Sequence, residues 1–562
     1  MRAKMLLKAA IVIAVALAFI VPTSAVVTNK DIVELRDMNI QRIPGRLAMG
    51  GPITVQSKEI PLTKIQENGL APLDVDVQVT SQPEDEGNPA LAIGSQNELL
   101  TVYEYNNDIY MTTSFDDGQT WTEQGSFDIE GNNEQLPALD FAGTINGKQA
   151  YRGSFLSDRN NGGDSFVMMI DDITDDPTTW YAQTVQWSDH GFYDFTSCDS
   201  VGYDQLIVQG YQITALLGSF SGIPGYPDCV QLPQYMIDTS DTDVSIFWFY
   251  YNNSANARME LDKSSEIVYY AFQWQNTTNQ DVILLSSELQ YVGRTEGDGG
   301  WGDGHGEGRK FQVGGSANTL YPAIAAEEGY VYLALQTDVA GNQDIVCYYS
   351  QDDGGNYSMS TIANSDADEL YPTLYAYGEL AVCTFVKNNN LYAAISTDGG
   401  ETWEIQDGTI NDVDGKVAAQ YHSADVYGAR TGPCAVWTDT RNDNKDVYFD
   451  SIFSYDYPFL FIESITGGFG VTATIKNDGT APATSVSWEI KVTGGLFDRV
   501  LKDKTGTIPA LAVNETQPVK TKIFLGLGPI LIMVTATCDE GASANRGAEG
   551  KQLIIWTIVN NE

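Results

Sequence analysis

Positive charge is scarce in this chain: 31 Lys and Arg stand against 75 Asp and Glu, a formal charge of −44. A surface that acidic repels phosphate backbones, so no nucleic-acid partner is expected, and cations or neutral polar ligands fit better. Histidine is nearly missing as well. His190, His305 and His422 lie far apart in sequence, which leaves a histidine-based triad or a zinc hydrolase without support. The six cysteines never fall in metal-ligand pairs. Cys347, Cys383 and Cys434 sit inside apolar runs and read as buried strand residues. Cys198 and Cys229, both in loop-like sequence, are the pair expected to form a disulfide. Helical periodicity is almost absent after the first 25 residues. So is any apolar run fit to span a bilayer, because residues 523–534 are broken by Gly526, Gly528 and Pro529 and read as strands.

What is present begins with Arg2, Lys4 and Lys8, an apolar run over residues 9–21, and Pro22-Thr23-Ser24-Ala25. This is the pattern of a secretory signal over residues 1–25, with an uncleaved anchor as the alternative. A secreted or cell-surface protein starting near Val26 is expected, with no transmembrane span in the mature chain. Asn252, Asn276, Asn356 and Asn514 open N-x-Ser/Thr frames that permit glycosylation.

The same eight-residue sentence occurs three times: SFDDGQTW from Ser114, SQDDGGNY from Ser350 and STDGGETW from Ser396. Around these copies a longer order recurs: a Pro-Ala-Leu-like run, an aromatic-rich run, an Asn/Asp turn, an Asp-Ile-Tyr-like run, then the octapeptide. Short alternating runs bounded by Gly, Asn and Asp make the chain all-β. A unit of three or four strands cannot bury both faces alone, so copies must pack side by side and close into a ring. The expectation is a β-propeller over residues 73–455, preceded by an extension at 26–72. Seven blades are favoured. Six is the alternative, because the stretch between Pro137 and Pro322 can be divided differently. The orphan run VDVQVTS from Val75 is expected to close the ring. From residue 456 to 562 the pattern changes to alternating strands with an Asn-Asp-Gly turn, which predicts a small Ig-like β-sandwich.

The octapeptide frame resembles the Asp box, or BNR repeat, of sialidases and related secreted propellers. That resemblance implies a turn between the third and fourth strands of a blade. Its structural residues would be Ser114, Asp116, Gly118 and Trp121, then Ser350, Asp352, Gly354 and Tyr357, then Ser396, Asp398, Gly400 and Trp403. Asp and Ser favour self-bonded turns and Gly supplies unusual dihedrals, so these are architecture and not catalysts. Sialidases also carry an aromatic-Arg-Ile-Pro motif and an arginine clamp. Here Gln41-Arg42-Ile43-Pro44 lacks the aromatic, and no arginine triad is assignable among 13 arginines. The stretch VTATIKNDGTAPATSVSWEIKV resembles CARDB-type adhesion sandwiches, which implies a spacer or attachment module.

In a propeller the loops joining second and third strands surround the channel opposite the octapeptide turns. They offer Asp158, Arg159 and Asp164, then Asp338 and Asp344, then Asp439, Arg441, Asp443 and Asp446. Such groups suit Ca²⁺ or sugar hydroxyls, with turn capping as the competing role for each. Asp298, Asp303 and Glu307, in a Gly-rich stretch, are candidate metal ligands, with a mobile insertion as the competing reading. No catalytic residue is assignable and no cofactor beyond Ca²⁺ is suggested. A monomer that binds a glycan or a cell-envelope partner without catalysis is expected. The alternative is an exo-acting glycoside hydrolase of sialidase type, which converging channel arginines would favour.

Overall fold

The computed structural model describes residues 75–559 apart from interior stretches, the longest being 289–308. The expected signal, the N-terminal extension with Arg42, and Asp298, Asp303 and Glu307 lie outside the described residues. Every named element among the described residues is a β-strand. None of the described segments forms a helix long and apolar enough to cross a membrane.

Seven antiparallel sheets precede residue 452 and two follow it. The first strands of the seven are Glu86–Ile93, Glu134–Ile145, Asp194–Leu206, Ser254–Asp262, Thr319–Glu327, Glu369–Tyr377 and Ala424–Ala429. Each lies against the first strand of the next sheet, and the last lies against Glu86–Ile93, so the sheets stand in a closed cycle. Six sheets have four strands, and the third has six. Second strands such as Tyr330–Thr337 (YVYLALQT) and Leu380–Lys387 (LAVCTFVK) are buried almost throughout. A neighbouring sheet covers each face, so these strands read as continuous apolar runs, not alternating ones. Fourth strands such as Thr122–Phe127 and Ser358–Ala363 form outer edges and are largely polar and exposed.

The three octapeptides are one turn built three times between third and fourth strands. In the first, Ser114 Oγ donates to Asp116 Oδ1 at 2.9 Å and accepts from Gly118 N at 3.0 Å. Thr120 N donates to Asp116 Oδ1 at 2.8 Å. The second and third repeat this through Ser350, Asp352 and Asn356 and through Ser396, Asp398 and Thr402, with the corresponding bonds at 2.8–3.0 Å. The glycine permits a positive φ, +82° at Gly118 and +92° at Gly400. It also permits close approach to the preceding sheet. A Cβ on Gly118 would lie 2.1 Å from the Phe449 ring, and one on Gly400 would lie 2.7 Å from Tyr349 Cβ. The aromatic follows the same direction. Trp121 meets Phe449 edge-on at 5.4 Å, Tyr357 stacks on Phe311 at 4.3 Å, and Trp403 meets Tyr332 at 6.5 Å. Each turn therefore pins its sheet to the one before it.

The seventh sheet takes its outer strand from the N-terminal side: Val77 pairs with Phe449 and Gln78 with Tyr448. Arg441 Nη2 bridges Asp76 at 2.6 Å and Asp439 at 2.7 Å, with its guanidinium 3.9 Å over the Tyr448 ring.

After residue 452 a three-stranded sheet begins at Leu460–Thr466, and a five-stranded sheet begins at Ala483–Gly494. Alternation buries one face of each around Ile462, Ala473, Ile490 and Val534. Asn477, fully buried, ties the near end: its Nδ2 donates to Ala481 O and Leu511 O at 2.8 and 3.0 Å.

Candidate functional site

Residues of six of the seven first strands line a cavity of ≈ 550 Å³ along the axis of the cycle. Besides slips in the third of these strands and a later one in the second, five of them share a slip of the pairing register, between Gly87 and Ala90, Gln135 and Ala138, Ala255 and Arg258, Leu320 and Ala323, and Leu370 and Thr373. Each shared slip holds a residue at positive φ: Asn88, Leu136, Asn256, Tyr321 and Tyr371, all between 48° and 53°. That conformation is costly for Leu and Tyr. It is held by a side chain of the preceding sheet. Leu136 N donates to Glu104 Oε1 at 2.6 Å, Tyr321 N to Gln273 Oε1 at 2.8 Å, and Tyr371 N to Gln336 Oε1 at 2.6 Å. Asn88 N finds Thr438 Oγ1 at 3.2 Å.

The bulges lie near the starts of the first strands, on the face that also carries the second-to-third turns and away from the octapeptides. There Tyr321, Tyr371 and Tyr421 cluster, with ring centroids 5.0, 5.1 and 6.5 Å apart. All three keep part of their surface exposed. Arg258 lies 4.8 Å over the Tyr421 ring, donates from Nε to Tyr421 Oη at 3.0 Å, and places Nη2 2.9 Å from His422 Nδ1.

Arginine has no acceptor, so His422 Nδ1 must accept and the ring proton sits on Nε2. Burial, then the charge of Arg258, holds the His422 pKa well below its usual range. The imidazole is therefore neutral. Its Nε2 is buried without a protein partner on the cavity wall. The wall is otherwise acidic: Asp140, Glu260, Glu327, Glu328 and Asp425 line it against the one described arginine, Arg258. Asp140 accepts from Tyr427 Oη at 2.9 Å, and Asp425 accepts from Leu91 N at 2.8 Å.

Of the residues expected on the ligand face, those described stand at or beside second-to-third turns, and none of them lines the cavity. Asp338 caps a turn, accepting from Asn318 N and Nδ2 at 2.8 Å each. Asp344 is buried beside Asn342, its carboxyl raised by burial. Asp439 and Arg441 belong to the closing clasp. Asp443 is an exposed turn residue at φ 72°, and Asp446 accepts from Asn442 at 2.7 Å and Asn444 at 3.1 Å. Turn capping, the competing role, is the one Asp338 and Asp446 perform. Asp158 and Arg159 lie outside the described residues, and Asp164 opens a strand paired to Ser157. Cys198 and Cys229 lie on strands either side of Tyr211–Ser221.

Among the described residues one carboxylate group could gather a cation: Asp108, Asp128 and Glu134, with oxygens within 4.8 Å of one another. Three carboxylates offer at most six oxygens, and Glu134 already accepts from Ser157 Oγ at 2.8 Å.

No family model matches the chain, and no curated relative does. Solved structures with some likeness include a Trypanosoma rangeli sialidase in complex with sialic acid. It is 9% identical over 88% of this chain and 93% of that one, with a TM-score of 0.34. Polysaccharide lyase Uly1 is 11% identical over 66% of this chain and 90% of its own, at a TM-score of 0.43. A protein of unknown function from Dyadobacter fermentans is 10% identical over 68% and 98%, at 0.37. Likenesses this distant carry no functional weight.

Tyr321, Tyr371, Tyr421 and Arg258 are not among the residues expected at a site, and His422 stood out only as an isolated histidine. A signal was available: the three tyrosines are spaced by 50 residues, two of them in Leu-Tyr-Pro.

Proposed function

We propose that the chain is a secreted or cell-surface seven-bladed β-propeller that binds a neutral glycan at its channel mouth without catalysis, followed by an Ig-like sandwich that spaces or tethers it. The observation that carries this reading is the cluster of Tyr321, Tyr371 and Tyr421 beside Arg258 and the unpartnered His422 Nε2 donor. Partly exposed aromatic faces suit the apolar faces of a sugar ring, and a few fixed donors suit its hydroxyls. Five carboxylates line the cavity that Arg258 and His422 also line, which disfavours an anionic sugar. Sialidase-type hydrolysis would require several arginines for the substrate carboxylate, and the described wall supplies one, already bound to Tyr421 and His422.

The test is a screen of neutral and acidic oligosaccharides by calorimetry, with an aryl-sialoside hydrolysis assay run beside it with and without Ca²⁺. Binding of a neutral glycan that weakens about fivefold in Tyr371→Ala, worth roughly 1 kcal/mol, is the expected result. Turnover that tracks folded protein would overturn the non-catalytic reading.

A further inference from the structure

Acidity is confined to one part of the molecule. Residues 75–457 carry 13 Lys and Arg against 59 Asp and Glu, whereas residues 458–562 carry nine against ten. The nearly neutral C-terminal sheets also hold twelve of the eighteen large apolar side chains exposed among the described residues. Leu460 shares a buried cluster with Ile452 and Phe453, where the chain leaves the seventh sheet, so Thr466 marks the far end of the first strand. The turn beyond it carries Phe469, 62% exposed, which meets Trp556 edge-on at 4.8 Å. The same end gathers the pairs Leu527 with Leu553 and Leu553 with Trp556. Leu501, Leu525 and Ile554 project there with 69%, 73% and 66% of their surface exposed. The charged groups described in residues 466–472, 494–501, 522–529 and 551–558 are two exposed lysines, Lys522 and Lys551.

We propose that this distal tip docks on the surface of a lipid bilayer. Exposed aliphatic side chains on turns and strand ends suit entry into an acyl boundary. Trp556 matches the interfacial layer, and the two lysines complement anionic headgroups. The acidic ring does not oppose this. A 12-residue strand such as Ala483–Gly494 holds it about 40 Å away, several times the Debye length of about 8 Å in physiological salt. The inference is independent of the ligand at the channel mouth.

The test is cosedimentation of the full chain with vesicles of phosphatidylcholine, alone or with about a quarter phosphatidylglycerol. Ile13→Asp and Leu17→Asp in every sample keep the N-terminal apolar run from binding. The parent is expected to partition. Leu525→Asp with Ile554→Asp should lower partitioning about a hundredfold, with melting temperature unchanged because both positions are exposed. Lys522→Gln with Lys551→Gln should weaken binding to the anionic vesicles alone, and serves as the second variant if the first fails to fold. Absence of partitioning in the parent, or partitioning indifferent to both pairs, overturns the proposal. So does a lipid-free dimer, seen by light scattering, that the tip variant dissociates without any vesicle binding, which would make the occupant a second copy.

Discussion

The ring is held by two kinds of joint, and they work differently. Between consecutive sheets the joint is repeated and made of hydrogen bonds and ring packing: an octapeptide turn leaning on the preceding sheet, and a bulge N–H capped by the preceding sheet's Gln, Glu or Thr. Between the last sheet and the N-terminal strand the joint occurs once and is ionic. That strand pairs through two residues, whereas interior strands such as Tyr330–Thr337 pair through seven. Side chains supply what the backbone does not. Arg441 reaches Asp76, 365 positions away in sequence, while Asp76 and Asp412 exchange backbone-to-carboxylate bonds of 2.9 Å. A segment not delivered by a neighbouring sheet needs a charged anchor.

The sharpest way to break the contrast is Arg441→Met. The side chains of Asp76 and Asp439 are 1% and 0% exposed, so removing the guanidinium strands two buried carboxylates. A loss of about 3–5 kcal/mol in urea unfolding is expected. A loss below about 1 kcal/mol would mean that Val79 and its apolar neighbours close the ring, and that the clasp is incidental.

The next effect is a slope with pH, and the two joints give it opposite signs. Burial, and then Asp446 among its charged neighbours, raises the Glu86 carboxyl to about 7 from 4.5. A raised folded pKa gives stability that is complete below about 4.5 and lost as pH climbs through about 7. In the octapeptide, hydrogen bonds from Asn356 and Ser350 hold Asp352 below its ordinary 3.8, so its contribution is complete above that value and is lost in acid. Melting temperature against pH should therefore flatten between pH 4.5 and 7 in Glu86→Gln. In Asp352→Asn it should flatten only on the acid side.

The interior joints were legible in the sequence and the closing joint was only half so. Ser, Asp, Gly and the aromatic act within eight residues, so the turn appears as a written motif three times over. The strand from Val75 could be proposed as the closing strand, but its anchor could not. Arg441 and Asp439 look like any polar turn, and nothing local marks Asp76 as their partner. The same difficulty hid the candidate site. Gln273 and Gln336 act on the next sheet, and Tyr321, Tyr371 and Tyr421 converge only once three sheets stand side by side. Carboxylates in loops drew attention because loops carry function, yet Asp338 and Asp446 are occupied in holding turns.

A smaller effect is expected from a single interior joint. Asp398→Ala removes the acceptor for Ser396 Oγ and for Thr402 N and Oγ1, bonds of 2.9, 2.9 and 2.5 Å. The turn is solvent-exposed and water can replace part of this, so about 1–2 kcal/mol is expected from denaturant midpoints. A loss matching that of Arg441→Met would erase the distinction between the joints.

The smallest effect on stability reaches furthest into function. Gln336→Ala deletes the acceptor for Tyr371 N–H, which sits at φ 53° and has its 2.6 Å bond to Gln336 Oε1 as a cap. About 1 kcal/mol of stability should be lost. Freed of its cap, Tyr371 no longer has reason to hold a disfavoured backbone conformation, and the three-ring cluster loosens with it. Glycan affinity should then fall severalfold, although Gln336 touches no ligand. Gln336→Glu should restore it, because Glu104 performs the same task for Leu136 at 2.6 Å. Affinity unchanged in Gln336→Ala would separate joint from site, leaving the bulges as ring architecture and the tyrosines as a cluster held by their own packing.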